Sequence, residues 1–295
     1  MFMKLLDWID SSKLNYDLLC LNKNAIELLK QHQYKIDWSQ LSYNPEAIEL
    51  LKENQDKIDW SILSFNPAAI ELLRNNKDKI NWHHLADNIE AIELLRENKD
   101  KINWYILSSN PNAIELLKEN QERINWENLS GNENAIELLK QNPDKIDWND
   151  LSFNLNAIQL LRENQEKINW DELSFNLNAI QLLRENKNKI NWDELSRNEN
   201  AIELLKDNQD KIDWEYLSRN ENPDAIELLR NNQDKINWDS FSLNPAIFTY
   251  DYDKIKKNYE ELAEEIIAKA LHPKRIFKLI EAYGEDEIYN TYFDD

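Results

Sequence analysis

Tryptophan recurs in this chain at a fixed interval: Trp38, Trp60, Trp82, Trp104, Trp126, Trp148, Trp170, Trp192 and Trp214 are each 22 residues apart, and Trp238 follows after 24. A period of that length marks a stacked-repeat architecture, in which each repeat is a supersecondary element too small to bury its own apolar face. Counted from the Asn that opens each repeat (Asn22, Asn44, Asn66, Asn88, Asn110, Asn132, Asn154, Asn176, Asn198, Asn222), the consensus is N-P-x-A-I-E-L-L-K-x-N-x-D-K-I-D-W-x-x-L-S-x. Ten complete repeats result. The last is entered through a two-residue insertion at Glu221-Asn222, and Asn244-Pro245 opens an eleventh that diverges.

Each repeat carries its own start and stop signals. The opening Asn suits an N-cap, and Pro45, Pro67, Pro111 and Pro223 suit the first helical position, where no N–H is needed. A helix A of about nine residues follows, as in Pro45 to Glu53, with Ala47, Ile48, Leu50 and Leu51 on one face. Glu49 and Lys52 can pair on the outer side. Asn54 and its equivalents stand where a left-handed C-terminal residue ends a helix. Ile58 then points inward, and Asp59 (Asn in other repeats) caps a short helix B from Trp60 to Ser64. A leucine-rich repeat would need L-x-L alternation before its Asn, whereas Ile48-Glu49-Leu50-Leu51 has helical spacing.

These signals predict an all-α fold, an α-solenoid of ten 22-residue helix-turn-short-helix repeats at 22–243 with helical caps. Only Gly131 and Gly284 occur in the chain, so Asn is left to make the turns. Residues 1–21 align as a degenerate capping repeat, with Tyr16 in place of Trp, and 244–295 as a C-terminal helical cap. In that cap Tyr252, Ile255, Tyr259, Leu262 and Ile266 mark one face of a longer helix ending at His272-Pro273, and a second helix runs from Pro273 to about Tyr283 with Gly284 as its C′ residue. With helices packing about 8–10 Å apart, ten repeats predict an extended rod or arc of about 90 Å, with the Trp series in its core.

The 56 acidic against 35 basic side chains give a net charge of −21, which disfavours nucleic acid as a partner. The lone Cys20 excludes an internal disulfide. No apolar run reaches transmembrane length and the N-terminus lacks a secretory h-region, so the expectation is a soluble intracellular protein with no membrane partner. No nucleophile, metal or phosphate motif is present, and the adjacent His83-His84 point apart on a helix; neither enzyme activity nor a metal or cofactor is expected.

Specificity in such an array falls to positions that vary within the fixed frame. The candidate partner-binding face comprises the two places after Trp and the place before the next Asn: Tyr43, Ile62, Phe65, His84, Tyr105, Ile106, Asp150, Phe153, Glu172, Phe175, Glu194, Arg197, Tyr216 and Arg219. Early repeats offer aromatic and aliphatic residues, and later ones an acidic strip bordered by aromatic and Arg residues, types common at interfaces. If Phe65, Phe153 and Phe175 were fully buried beneath the next helix A, they would drop out of that face.

Asn44 to Ser64 resembles the short Asn-Pro/Trp repeats of proteins from mimivirus-like giant DNA viruses of protists, and Ala270-Leu271-His272-Pro273-Lys274-Arg275-Ile276 resembles their tail. The resemblance implies a viral protein acting in the host cytoplasm or viral factory, or packaged in the virion. It implies no catalytic or cofactor residue. The functional expectation is a non-enzymatic scaffold binding a host or viral protein; the alternative is a structural or assembly component of the particle.

Overall fold

The computed structural model describes residues 2–283. It is an all-α repeat solenoid with the expected periodicity, apart from a short antiparallel pair of strands, Met3–Leu5 and Phe248–Tyr250. The chain divides into two compact bodies, one spanning Leu5–Phe248 and the other formed by the residues before and after it.

In the repeat body, helix B forms as expected. In Trp60–Leu63 the Asp59 carboxylate accepts the N–H groups of Ser61 and Ile62, and Leu63 is fully buried. Helix A differs from its expected form. It starts as a 3-10 turn, Pro45–Ala47, and becomes α-helical only over Ile48–Glu53. Ala47, Leu50 and Leu51 are buried below it. Asn54 is not left-handed: its φ is −130° and ψ 50°. Its Nδ2 instead donates to the Leu50 carbonyl at 2.9 Å, so the side chain closes the helix end that a left-handed backbone would otherwise have closed.

The opening Asn does more than cap. Asn44 Oδ1 accepts the Glu46 N–H, but its Nδ2 donates to the carbonyl of Asn22, which opens the preceding repeat, and to that of Cys20, two residues earlier. The same pair of bonds, 2.8–3.2 Å long, recurs at Asn66, Asn88, Asn110, Asn132, Asn154, Asn176, Asn198, Asn220 and Asn244. The ladder therefore passes through Asn220 rather than the expected Asn222. Asn222 caps the following helix, and its Nδ2 donates to Glu199 O, as Asn200 does to Leu177 O one repeat earlier. The two extra residues are in effect Pro223-Asp224, and they merge the 3-10 turn and helix A into one nine-residue α-helix, Pro223–Asn231.

Two further ladders run beside the Asn series. The serine that follows the helix B leucine in most repeats, replaced by Ala86 in one and by Cys20 in another, is fully buried; Ser42 Oγ donates to Trp38 O and accepts the Asp59 N–H of the next repeat. The cation before each Ile-Asp/Asn-Trp, lysine except at Arg123, reaches back to the aromatic ring that opens the previous helix B, Lys57 Nζ lying 4.5 Å from the Trp38 ring centroid. Every Trp of the series is half-buried, so the expectation of a Trp core is corrected. The core is Leu, Ile and Ala, and the indoles form an outer layer roofed by cations.

All three ladders continue across the ends of the array. Asn22 Nδ2 donates to Ser242 O and Asn244 O, both at 3.0 Å. Asn15 N–H donates to Ser242 Oγ at 2.9 Å. Lys13 Nζ sits 4.8 Å over the Trp238 ring, and Lys35 3.8 Å over Tyr16. Helix Tyr16–Leu19 packs on Trp238–Ser242 as each helix B packs on the one before it. The repeat body is thus a closed ring of eleven repeats, not an open rod or arc. Its eleventh repeat is split: Asn244 to Phe248 supply the opening turn, and Ser11 to Leu21 supply the turn and helix B. Of the segment 1–21, residues 11–21 complete this repeat, joined to the one before it through Asn15 and Lys13.

Curvature follows from unequal spacing on the two sides of each repeat. Next to the Asn ladder, Lys23 Nζ lies 3.5 Å from Glu221 Oε2 although Pro245 stands between them in ring order, so side chains two repeats apart meet. On helix A, ion pairs such as Arg74–Glu97 and Arg96–Glu119 join adjacent repeats only. Helices cannot approach below about 8–10 Å, whereas two backbones bridged by one Asn amide can, so the ladder side takes the smaller radius. Eleven repeats close the turn at about 33° each.

In the second body, helices Tyr252–Ala270 and Pro273–Tyr283 match the expected pair. Tyr252, Tyr259, Leu262 and Ile266, on the first of these helices, are exposed. The expected C′ position, Gly284, lies outside the described residues.

Candidate protein-binding face

The variable side chains stand where the ladders leave room. Helix B, or the turn that follows it, ends on the residue before each ladder Asn, and because that Asn is anchored at both ends, the side chain preceding it projects from a rigid turn. Two runs of these side chains touch across repeats. In the first, Tyr43 and Phe65 have ring centroids 6.0 Å apart, and the His84 ring stacks on Phe65 at 4.1 Å. His84 Nδ1 also lies 2.9 Å from the Ser61 carbonyl, so this histidine belongs to an aromatic stack. Leu21, Tyr43, Ile62 and Phe65 enclose a hollow of about 280 Å³ beside it.

In the second run, Phe153 stacks on Phe175 at 5.5 Å, the Arg197 guanidinium covers Phe175 at 4.1 Å, and Tyr216 lies 5.6 Å from the same guanidinium. Glu194 holds Arg197 from below at 3.8 Å. Arg219 donates from Nε to Ser240 Oγ at 3.2 Å and is otherwise exposed. Full burial of the phenylalanines does not occur: Phe153 is 44% exposed, and Phe65 and Phe175 are half-buried.

Between the runs the same register holds Asp87, Ser109 and Gly131, so the aromatic surface is interrupted. Tyr105, 55% exposed, and the half-buried Ile106 lie in this gap, outside both stacks. Of the acidic positions, Glu172 is exposed and Asp150 half-buried. Burial, reinforced by Asp147, Glu127 and Glu172, raises the Asp150 carboxyl above its ordinary range. Burial does the same to Asp87.

Sequence reasoning missed the residue after each ladder Asn, which it treated only as a place for Pro. That residue faces the same space as the one before the Asn. Pro111, Glu133, Leu155 and Leu177, from four consecutive repeats, line one hollow of about 290 Å³ with Ser109, Gly131, Phe153 and Phe175. The available signal was the departure from Pro to Glu133, Leu155 and Leu177, since apolar side chains at an exposed helix start have no capping role.

No family model matches the chain, and no curated protein or solved structure shows significant similarity to it. Among the described residues no helix is long and apolar enough to cross a membrane.

Proposed function

We propose that the closed ring is a non-enzymatic scaffold that binds a protein partner through the side chains flanking its Asn ladder. One observation carries this reading: the residues that vary from repeat to repeat are the ones the three ladders do not use, and part of them, Tyr43, Phe65 and His84 in one run and Phe153, Phe175, Arg197 and Tyr216 in another, assemble into aromatic and Arg-capped stacks on a rigid frame. Rigid aromatic anchors lose little conformational freedom on binding, which is why they dominate interface energetics. In keeping with the resemblance to giant-virus repeats, the partner in this reading is a host or viral protein of an infected cell.

Site-specific photocrosslinking in producing cells tests the proposal. A benzophenone amino acid at Tyr105, on the variable face, should trap a discrete protein adduct that the same group at the exposed Lys52 of helix A does not. Adducts identical at both positions, or none at either, would remove the basis for the proposal.

A further inference from the structure

Gly131 is the sole glycine of the repeats, yet nothing in the backbone calls for it. It ends the helix Trp126–Gly131 without a positive φ. A Cβ built there would meet nothing closer than 3.9 Å, at Asp150. Conformational freedom and close approach, the usual reasons for glycine, are therefore both absent. What the missing side chain does is leave space. Equivalent positions hold Tyr43, Phe65, Phe153 and Phe175, and the gap beside Phe153 is the hollow of about 290 Å³.

The walls of that hollow are Pro111, Leu155, Leu177 and the two stacked rings of Phe153 and Phe175, an apolar enclosure open to solvent on one side. Its surroundings are acidic. Glu133 is part of the lining, Asp150 adjoins Gly131, and Asp147, Glu127 and Glu172 act on Asp150. Arg197 is drawn to the far face of Phe175, where it is paired with Glu194.

We infer that this hollow receives one large apolar side chain, aromatic or leucyl, from a protein segment carrying Lys or Arg beside that side chain. The inference rests on the scaffold reading and adds the chemistry of the partner. The apolar group is a single anchor in a preformed pocket, the commonest form of an interface hot spot, and the basic neighbours answer the carboxylates at its edge.

Methyl NMR on the full chain, labelled at leucine, provides the test. The probe is a blocked pentapeptide with phenylalanine between two pairs of lysines, compared with versions centred on alanine or flanked by glutamate. Titration of the lysine peptide should shift the Leu155 and Leu177 methyls, and either change to the peptide should weaken binding at least about tenfold. Gly131→Leu fills the hollow without backbone strain and should abolish the shifts while leaving the unfolding midpoint near that of the parent. Asp150→Asn, which adds no volume, should weaken the lysine peptide severalfold. Undiminished binding to Gly131→Leu, equal binding of the glutamate peptide, or an alanine-centred peptide that binds as well would overturn the inference. Photocrosslinks from Tyr105 separate the two levels: adducts that survive in Gly131→Leu alongside unchanged peptide binding leave the scaffold standing without its pocket, whereas loss of every adduct in the parent protein removes both.

Discussion

Asn132 shows how one side chain serves two structural tasks. Its Oδ1 accepts the Asn134 N–H, and its Nδ2 donates to the carbonyl of Asn110, which opens the preceding repeat, and to that of Ser108 just before it, all within a site only 1% exposed. A cap alone would tolerate Asp as well as Asn, since both are strong N-caps. A carboxylate, however, cannot donate to the two carbonyls. Asn132→Asp should therefore destabilise the ring at least as much as Asn132→Ala, each by roughly 3 kcal/mol from the unpaired buried groups. Urea unfolding measures this, and an unchanged midpoint for Asn132→Asp would reduce the residue to a simple cap. The capping role was legible because its partner lies two residues away. The ladder was not, because its partners lie 22 and 24 residues back and the cap already accounted for the conserved spacing of Asn.

Cys20 tests a second residue-scale point. It occupies the ladder serine's place, its Sγ lying 3.3 Å from the Tyr16 carbonyl, and burial pushes the thiol from 9.0 to about 11. The raised value means that the folded state keeps its proton while the unfolded chain releases it. The associated stability is complete below about pH 9 and is lost as pH rises toward 11. Stability measured across that window should fall more steeply for the parent than for Cys20→Ser. Parallel curves would show that the thiol is not held in this environment.

At the scale of elements, the short helices were readable because every signal they need is local: Asp59 caps Trp60–Leu63, and Ile58, Trp60 and Leu63 set its faces. The break within helix A was less readable. A 3-10 turn satisfies the same Pro-x-Ala pattern as a first α-turn, and the choice is made by the Asn44 amide holding the turn against its neighbour. Pro223-Asp224 shows what happens when the restriction is relaxed, since two added residues let the segment become a continuous nine-residue helix. Asn220 and Asn222 already make the ladder contacts that Asn198 and Asn200 make. Deleting Pro223-Asp224 should therefore restore the consensus register and forfeit mainly the exposed Lys206–Asp224 pair, leaving the thermal unfolding midpoint close to that of the parent. A large loss of thermal stability on deletion would mean that the insertion is needed for closure. The candidate face was half legible at this scale. Variation before each Asn was visible in Tyr43, Phe65, Phe153 and Phe175, whereas the contribution of Leu155 and Leu177 depends on which way the opening turn faces.

For the molecule as a whole, the repeat body differs most from its sequence expectation in being closed. Closure was hidden because it depends on the sum of small rotations over eleven repeats, which no single repeat reveals. Its parts were nevertheless present: Lys13, Leu14, Asn15, Tyr16 and Leu19 reproduce the Lys-Ile-Asp-Trp…Leu series of a repeat from the other end of the chain. Splitting that repeat between the two ends of the array makes the first and last segments mutual partners, so no terminal repeat leaves its core uncovered.

Pulsed dipolar spectroscopy between spin labels at Lys30 and Arg230 tests closure most directly. These equivalent positions are two steps apart through the split repeat, as Lys52 and Arg96 are two steps apart through the uninterrupted array. A closed ring gives both pairs the same narrow distance distribution. A Lys30–Arg230 distance several tens of ångströms longer than the Lys52–Arg96 reference would contradict it.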